Sequence, residues 1–156
     1  MRTPVNFTLF SPTINKIGLS GNIYRLYGGN EWTTNAFWAI KTFYEPKNIK
    51  KVRVTNTDVP DMTGIIAKAV LATNEVTFEN ELKTSGEAIM VKTVCDTGSH
   101  YFEGWVNVYF VSMMLKLSEE KKVRIKFYQG SKDGLIAVKT LDGEIIGVLM
   151  PIRSNE

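Results

Sequence analysis

The chain is poor in the residues from which most reactive centres are built. Its 156 residues include one cysteine, Cys95, and one histidine, His100. A single cysteine excludes an intramolecular disulfide and fits a reducing compartment. A single histidine excludes a histidine-rich metal site within one chain. No apolar run approaches the length needed to cross a bilayer. The opening stretch MRTPVNFTLFSPTINK has an early arginine but only a short apolar patch, broken by Pro12, and lacks the h-region of a signal peptide. These absences lead to the expectation of a cytoplasmic protein.

Neither sign of charge is in large surplus: 19 Lys and Arg stand against 16 Asp and Glu, for a net charge of +3. Such a balance permits contact with nucleic acid without arguing for it. There is no Walker-type phosphate loop and no Gly-x-Ser-x-Gly elbow. Cys95 and His100 lie close together in VCDTGSHYFEG, with Asp96 between them. A Cys–His pair can make a nucleophile. The commoner arrangement is a half-buried strand cysteine beside a turn histidine, and the stretch reads as a loop leading into a helix. Asp58, Asp61 and Asp133 fall in turns, where aspartate is expected for its backbone hydrogen bonds. The expectation is a protein that is not an enzyme and has no metal or cofactor.

What the chain does have is strand signals. Residues 22–28, 50–56, 64–72, 75–82, 87–95, 121–129, 134–141 and 144–152 are rich in β-branched residues and bounded by turn formers. Asp142-Gly143 between the last two is a hairpin signal, because a tight turn needs positive φ. Two segments predict helices. Residues 33–45 open on threonine caps and stop before Pro46. Residues 106–122 place Val108, Val111 and Leu115 on one stripe. The first helix is expected to bury Phe37, Ile40, Tyr44 and Phe43, leaving Thr34, Asn35, Trp38, Lys41 and Thr42 outside. The second is expected to bury the valine stripe with Met114 and to expose Tyr109, Ser112 and Lys116.

Aligning the two helices exposes a repeat. Lys50 and Lys121 are 71 apart, Gly64 and Gly134 are 70 apart, and Glu75 and Glu144 are 69 apart. Lys-Lys-Val-Arg alone is a cheap pattern; the order and spacing of several elements carry the case. The expected architecture is a single α+β domain over 1–156. It would comprise two β-α-β-β-β halves, at about 15–84 and 85–153, with two helices packed on antiparallel sheet.

The second half resembles the C-terminal domain of the bacterial DNA polymerase III β subunit, the sliding clamp. The residues that carry the resemblance are Asn107, Phe110, Leu115, Val123, Arg124, Gly143 and the run 148–153, ending in Met-Pro-Ile-Arg. It covers residues 106–153 and extends to the rest only through the repeat. The resemblance implies a DNA-clamp-like fold and a processivity factor in DNA replication. It also implies an apolar pocket near the last strand that receives short peptides from DNA polymerase and other replication proteins. Val148, Met150, Pro151 and Ile152 would form it, with Arg153 at the flank and Phe110 in the aromatic position. The competing reading is that Val148 and Ile152 pack the core while Met150 points outward.

A bacterial clamp has three such domains per chain and this chain has one, so six copies would have to close a ring as a homo-oligomer. Ser154-Asn155-Glu156 also replaces the usual apolar final residue. Double-stranded DNA would be met without sequence reading by Lys41, Lys116, Lys47 and Lys121. The alternatives are a non-encircling clamp-fold accessory protein that binds replication partners, and a structural protein of a phage or plasmid.

Overall fold

The computed structural model describes residues 7, 23–26, 32–34, 37–45, 54–55, 62–85 and 88–152. Among these, the chain is α+β, with two helices and mostly antiparallel sheet. No helix among the described residues is long and apolar enough to cross a membrane.

The chain runs through β1 (Ile23–Leu26), β2 (Trp32–Thr34), β3 (Trp38–Lys41), a 3-10 turn (Thr42–Tyr44) and β4 (Val54–Thr55). Helix α1 (Thr63–Leu71) is followed by β5 (Asn74–Glu75), β6 (Thr77–Ser85), β7 (Ala88–Asp96) and β8 (Tyr101–Asn107). Helix α2 (Val108–Lys121) leads into β9 (Ile125–Gln129), β10 (Ile136–Thr140) and β11 (Ile145–Leu149). Eight strands form one sheet in the order β4-β1-β2-β3-β11-β10-β9-β5, and β6-β7-β8 form a second. Only β1 and β4 pair in parallel.

Strand alternation gives the large sheet two apolar faces, and each receives a helix. Trp38, Ile40, Ile136, Val138 and Leu149 face α2. Ala39, Ala137 and Val148 face α1, together with Trp32 and Leu135. The side of α2 turned away from the large sheet meets Val91, Cys95 and Val106 of the small one. The layers therefore run α1, large sheet, α2, small sheet. α2 is buried nearly all round: Val108, Phe110, Val111, Ser112, Met113, Met114 and Leu117 are all buried.

Local chemistry sets the bounds of α2. Asn107 caps its start, its side-chain oxygen accepting from the Tyr109 amide at 2.9 Å. Lys122 ends it in the left-handed region at φ 53, and the Val123 amide returns to the Ser118 carbonyl at 3.1 Å. Gly143 takes the positive φ that the β10–β11 hairpin requires, at 93°. The pairing of those strands steps from Val138–Gly147 to Lys139–Ile145, which leaves Ile146 as the extra residue of a bulge.

Several expectations are overturned. Residues 33–45 are not a helix: they belong to β2, β3 and the 3-10 turn. β3 is an inner strand covered on both faces, so its side chains read as a near-continuous apolar run. A short run of that kind has no period that separates it from a buried helix. The expected faces invert as a result. Trp38 and Thr34 are buried, whereas Phe37 is 60% and Phe43 80% exposed. Asn35 lies outside the described residues.

Residues 64–72, expected as strand, are α1. Met62, Ala69 and Ala72, with Ile65 and Ile66 beside them, fall at helical spacing on the buried stripe. Lys139 completes the helix end by donating to the Ala72 carbonyl at 2.8 Å. The supposed loop before the second helix contains β8. With these changes the first part of the chain does not repeat the second, and the paired β-α-β-β-β halves are not formed. The order β8-α2-β9-β10-β11 does follow the strand–helix–three-strand pattern expected of the second half. Residues 50–53 and 56 of the strand expected over 50–56 lie outside the described residues.

Candidate docking site at the C-terminal crossing

After β11 the backbone leaves the large sheet and crosses to the small one. The Met150 amide donates to the Phe37 carbonyl at 2.9 Å, just ahead of β3. Two residues later the Ile152 amide donates to the Trp105 carbonyl at 2.8 Å, forming an isolated antiparallel bridge to β8. Pro151 stands between these two donors, where its missing N–H costs nothing. Met150, Pro151 and Ile152 are all half-buried. Backbone bonds thus fix the segment at both ends while its side chains keep part of their surface exposed.

The surroundings mix apolar and charged groups. The Phe37 ring is exposed beside the first anchor point. At the second, Lys83 places its ammonium 5.5 Å from the centre of the Trp105 ring. Lys92, paired across the sheet with Trp105, lies 3.1 Å from Glu103, 3.7 Å from Glu79 and 3.8 Å from Glu81. The hydrogen bond to Glu103 holds the Lys92 ammonium above its ordinary pKa, so it stays charged at neutral pH. Tyr101 donates to the same Glu103 at 2.6 Å. The rim of the crossing is therefore more acidic than basic.

The residues expected to form one peptide pocket are only partly brought together. Met150, Pro151 and Ile152 lie along the crossing. Val148 is 2% exposed and faces α1, beneath the outer cluster of the large sheet. Phe110 is buried against the opposite face of that sheet. Sheet alternation puts these two on different sides, so they cannot line the same surface. Arg153 lies outside the described residues. Phe37, Trp105 and Lys83 join the site without having been anticipated. Phe37 was assigned to a helix interior, and Trp105 to the end of a presumed loop. A glycine-containing segment, YFEGWVN, hides the alternation that would have marked β8.

The lysines expected to face DNA are scattered. Lys41 sits on β3 and pairs with Glu144 at 3.0 Å. Glu144 also accepts from the Tyr44 hydroxyl at 3.1 Å. Lys116 is half-buried on α2, and Lys121 is exposed in its last turn, where a cation suits the helix dipole. Lys47 lies outside the described residues. Of the residues expected on the outer face of α2, Ser112 is buried and Tyr109 half-buried. Only Glu119 and Lys121 are exposed on this helix, because the small sheet covers the side that was expected to meet solvent.

Cys95 and His100 are not placed as a catalytic pair. The Cys95 thiol is buried between the sheets, near the Gln129 side-chain oxygen at 3.7 Å, and burial raises its pKa to about 11. His100 is exposed in the turn joining β7 and β8, its amide donating to Thr97 at 3.1 Å. Asp133 occupies a left-handed turn position at φ 61, while Asp58 and Asp61 lie outside the described residues. Among the described residues, no group of three or more His, Cys, Asp or Glu could hold a metal ion.

No protein-family model, curated protein or solved structure matches the chain.

Proposed function

We propose that the chain is a non-enzymatic docking protein of DNA replication, related to sliding clamps. It receives short apolar-anchored peptides from a polymerase or another replication protein along the segment formed by Met150, Pro151 and Ile152. One observation carries this reading: the element order β8-α2-β9-β10-β11 leads into a Met-Pro-Ile segment pinned between two sheets with its side chains half-exposed. Such a surface is ordered before a ligand arrives, which lowers the entropic cost of binding. Met150 adds an unbranched thioether that adapts to varied anchors. The acidic rim favours peptides with basic flanks.

The geometry favours the non-encircling form of this function over a closed ring. Helices lining one hole must share a side of the sheet. Here α1 and α2 lie on opposite faces, and α2 is covered by the small sheet. Contact with double-stranded DNA would then be made through the tethered partner rather than by a helical lining.

Two measurements on the full chain test the proposal. Titration with a labelled peptide from the tail of a bacterial replicative polymerase should show saturable binding. Met150→Ala should weaken it by about 1 kcal/mol or more, the cost of truncating an anchor. Failure of the unaltered chain to bind such peptides removes the docking reading. Light scattering should report a monomer or small oligomer. A hexamer retained on circular but not linear DNA would replace the non-encircling form with the ring.

A further inference from the structure

A second groove lies away from the C-terminal crossing, on the side of α2 where β6 and β9 approach each other, and it is already filled. Phe7, from the first residues of the chain, packs against the main core. Its ring meets Phe78 edge-on, with centroids 5.5 Å apart and planes at 81°. Phe78 in turn meets Phe127 edge-on at 5.0 Å and 87°. The Phe7 carbonyl accepts a hydrogen bond of 2.8 Å from the Ser112 hydroxyl.

Ser112 makes this more than incidental packing. It sits mid-way along α2 and is 4% exposed. A helical serine in that position normally bonds back to its own helix. This one is aimed across 105 residues of sequence at a main-chain carbonyl. A buried hydroxyl reading a carbonyl, beside an aromatic wall that takes a ring edge-on, is the chemistry of peptide recognition: the main-chain bond gives affinity and the wall selects the anchor. The three receiving residues come from β6, α2 and β9, all distant in sequence from Phe7.

We infer that this groove is a peptide-docking site whose resident ligand is the chain's own Phe7 segment. A partner segment of the same chemistry, extended and anchored by one aromatic side chain, takes it by displacing the resident. The tether sets the threshold. Between Phe7 and Ile23 lie 15 residues, and a flexible linker of that order holds a ligand at an effective concentration on the order of millimolar. The resident therefore gates the groove, and a competitor must bind the emptied site well to enter.

The inference does not rest on the C-terminal crossing and is tested separately from it. The probe is a synthetic peptide of residues 1–12, MRTPVNFTLFSP, titrated by fluorescence anisotropy against full-length protein. It should bind the Phe7→Ala chain at least tenfold more tightly than the unaltered chain, whose groove is occupied. Adding Ser112→Ala to Phe7→Ala should weaken that binding, and a probe carrying Ala in place of its phenylalanine at position 7 should lose it. If Phe7→Ala does not fold, Phe7→Leu keeps the apolar bulk and loosens the resident, and the same ordering is expected. Equal affinity for altered and unaltered chains, or no binding to either altered chain, overturns the inference.

Discussion

Ile152 and Trp105 are joined across the two sheets by a backbone hydrogen bond of 2.8 Å, with the Ile152 amide as donor. The large sheet supplies the chain up to Leu149, and the small sheet receives it three residues later. This bond ties the outermost strand of the small sheet to the strand that precedes the crossing. It also holds Met150 and Pro151 in a bridge instead of leaving them to fray.

The first prediction concerns that bridge. The Ile152 amide should exchange with solvent deuterium far more slowly than an open terminal amide. Exchange at the unstructured rate would mean the bridge does not form in solution. Ile152→Pro removes the donor and should lower stability by about 1 kcal/mol, the usual net worth of one such bond. The urea midpoint reports it.

The second prediction follows from the buried thiol. Burial raises the Cys95 pKa from 9.0 to about 11, so the reactive thiolate is scarce at pH 8. Thiol reagents should label Cys95 slowly in the folded chain and rapidly in denaturant. The pH dependence has a definite sign. The folded state keeps its proton to higher pH than the unfolded state, so stability is retained below about 9 and falls as pH rises towards about 11. Cys95→Ser should flatten that window, although it also changes stability at neutral pH. Rapid labelling of the folded chain at pH 8 would contradict the burial.

Much of the second half was legible because its signals are local. Asn107 is both cap and helix start, Asp142-Gly143 is both turn and register, and the β-branched runs on either side alternate with few interruptions. The first half was misread where tertiary burial overrode periodicity. Trp38, Ala39 and Ile40 are apolar because α2 and α1 cover opposite faces of one strand, a fact of layer order that no local window contains. The converse error occurred in α1, where Ile65, Ile66 and Val70 suggested strand while Ala67, Ala69 and Ala72 carried the helical signal. At the candidate site the motif 150–152 could be found from sequence. Its neighbours Phe37 and Trp105 could not, because a crossing between sheets depends on long-range pairing.

Glu144 provides the third prediction. Burial holds the Tyr44 phenol above its ordinary pKa, and the hydrogen bond and charge of Glu144 raise it further. Glu144→Gln removes the charge, so the phenol should titrate at lower pH while remaining displaced by burial. Site-specific NMR titration of Tyr44 reads this directly; an unchanged titration would mean the contact is absent in solution. The accompanying loss of the Lys41 ion pair should cost less than about 1 kcal/mol, because both side chains are partly solvated.

The fourth prediction tests the packing of α2 on the large sheet. Gly147 lies in the bulged region of β11, directly under Met114. A Cβ added there would sit 2.7 Å from the Met114 terminal carbon and 3.2 Å from the Ala39 carbonyl oxygen. The methionine end can move but the β3 backbone cannot, so Gly147→Ala should destabilise the chain by about 1–3 kcal/mol through overpacking. Met114→Ala alone leaves a cavity in a fully buried layer and should cost about 2–5 kcal/mol. Combined, the two changes should cost less than their sum, because the new methyl enters space that the methionine vacated. The coupling should reach at least about 0.5 kcal/mol, the level at which contacting residues depart from additivity. Strict additivity in a denaturant-based double-mutant cycle would separate Met114 from Gly147, and with it α2 from the face of the sheet against which it is placed.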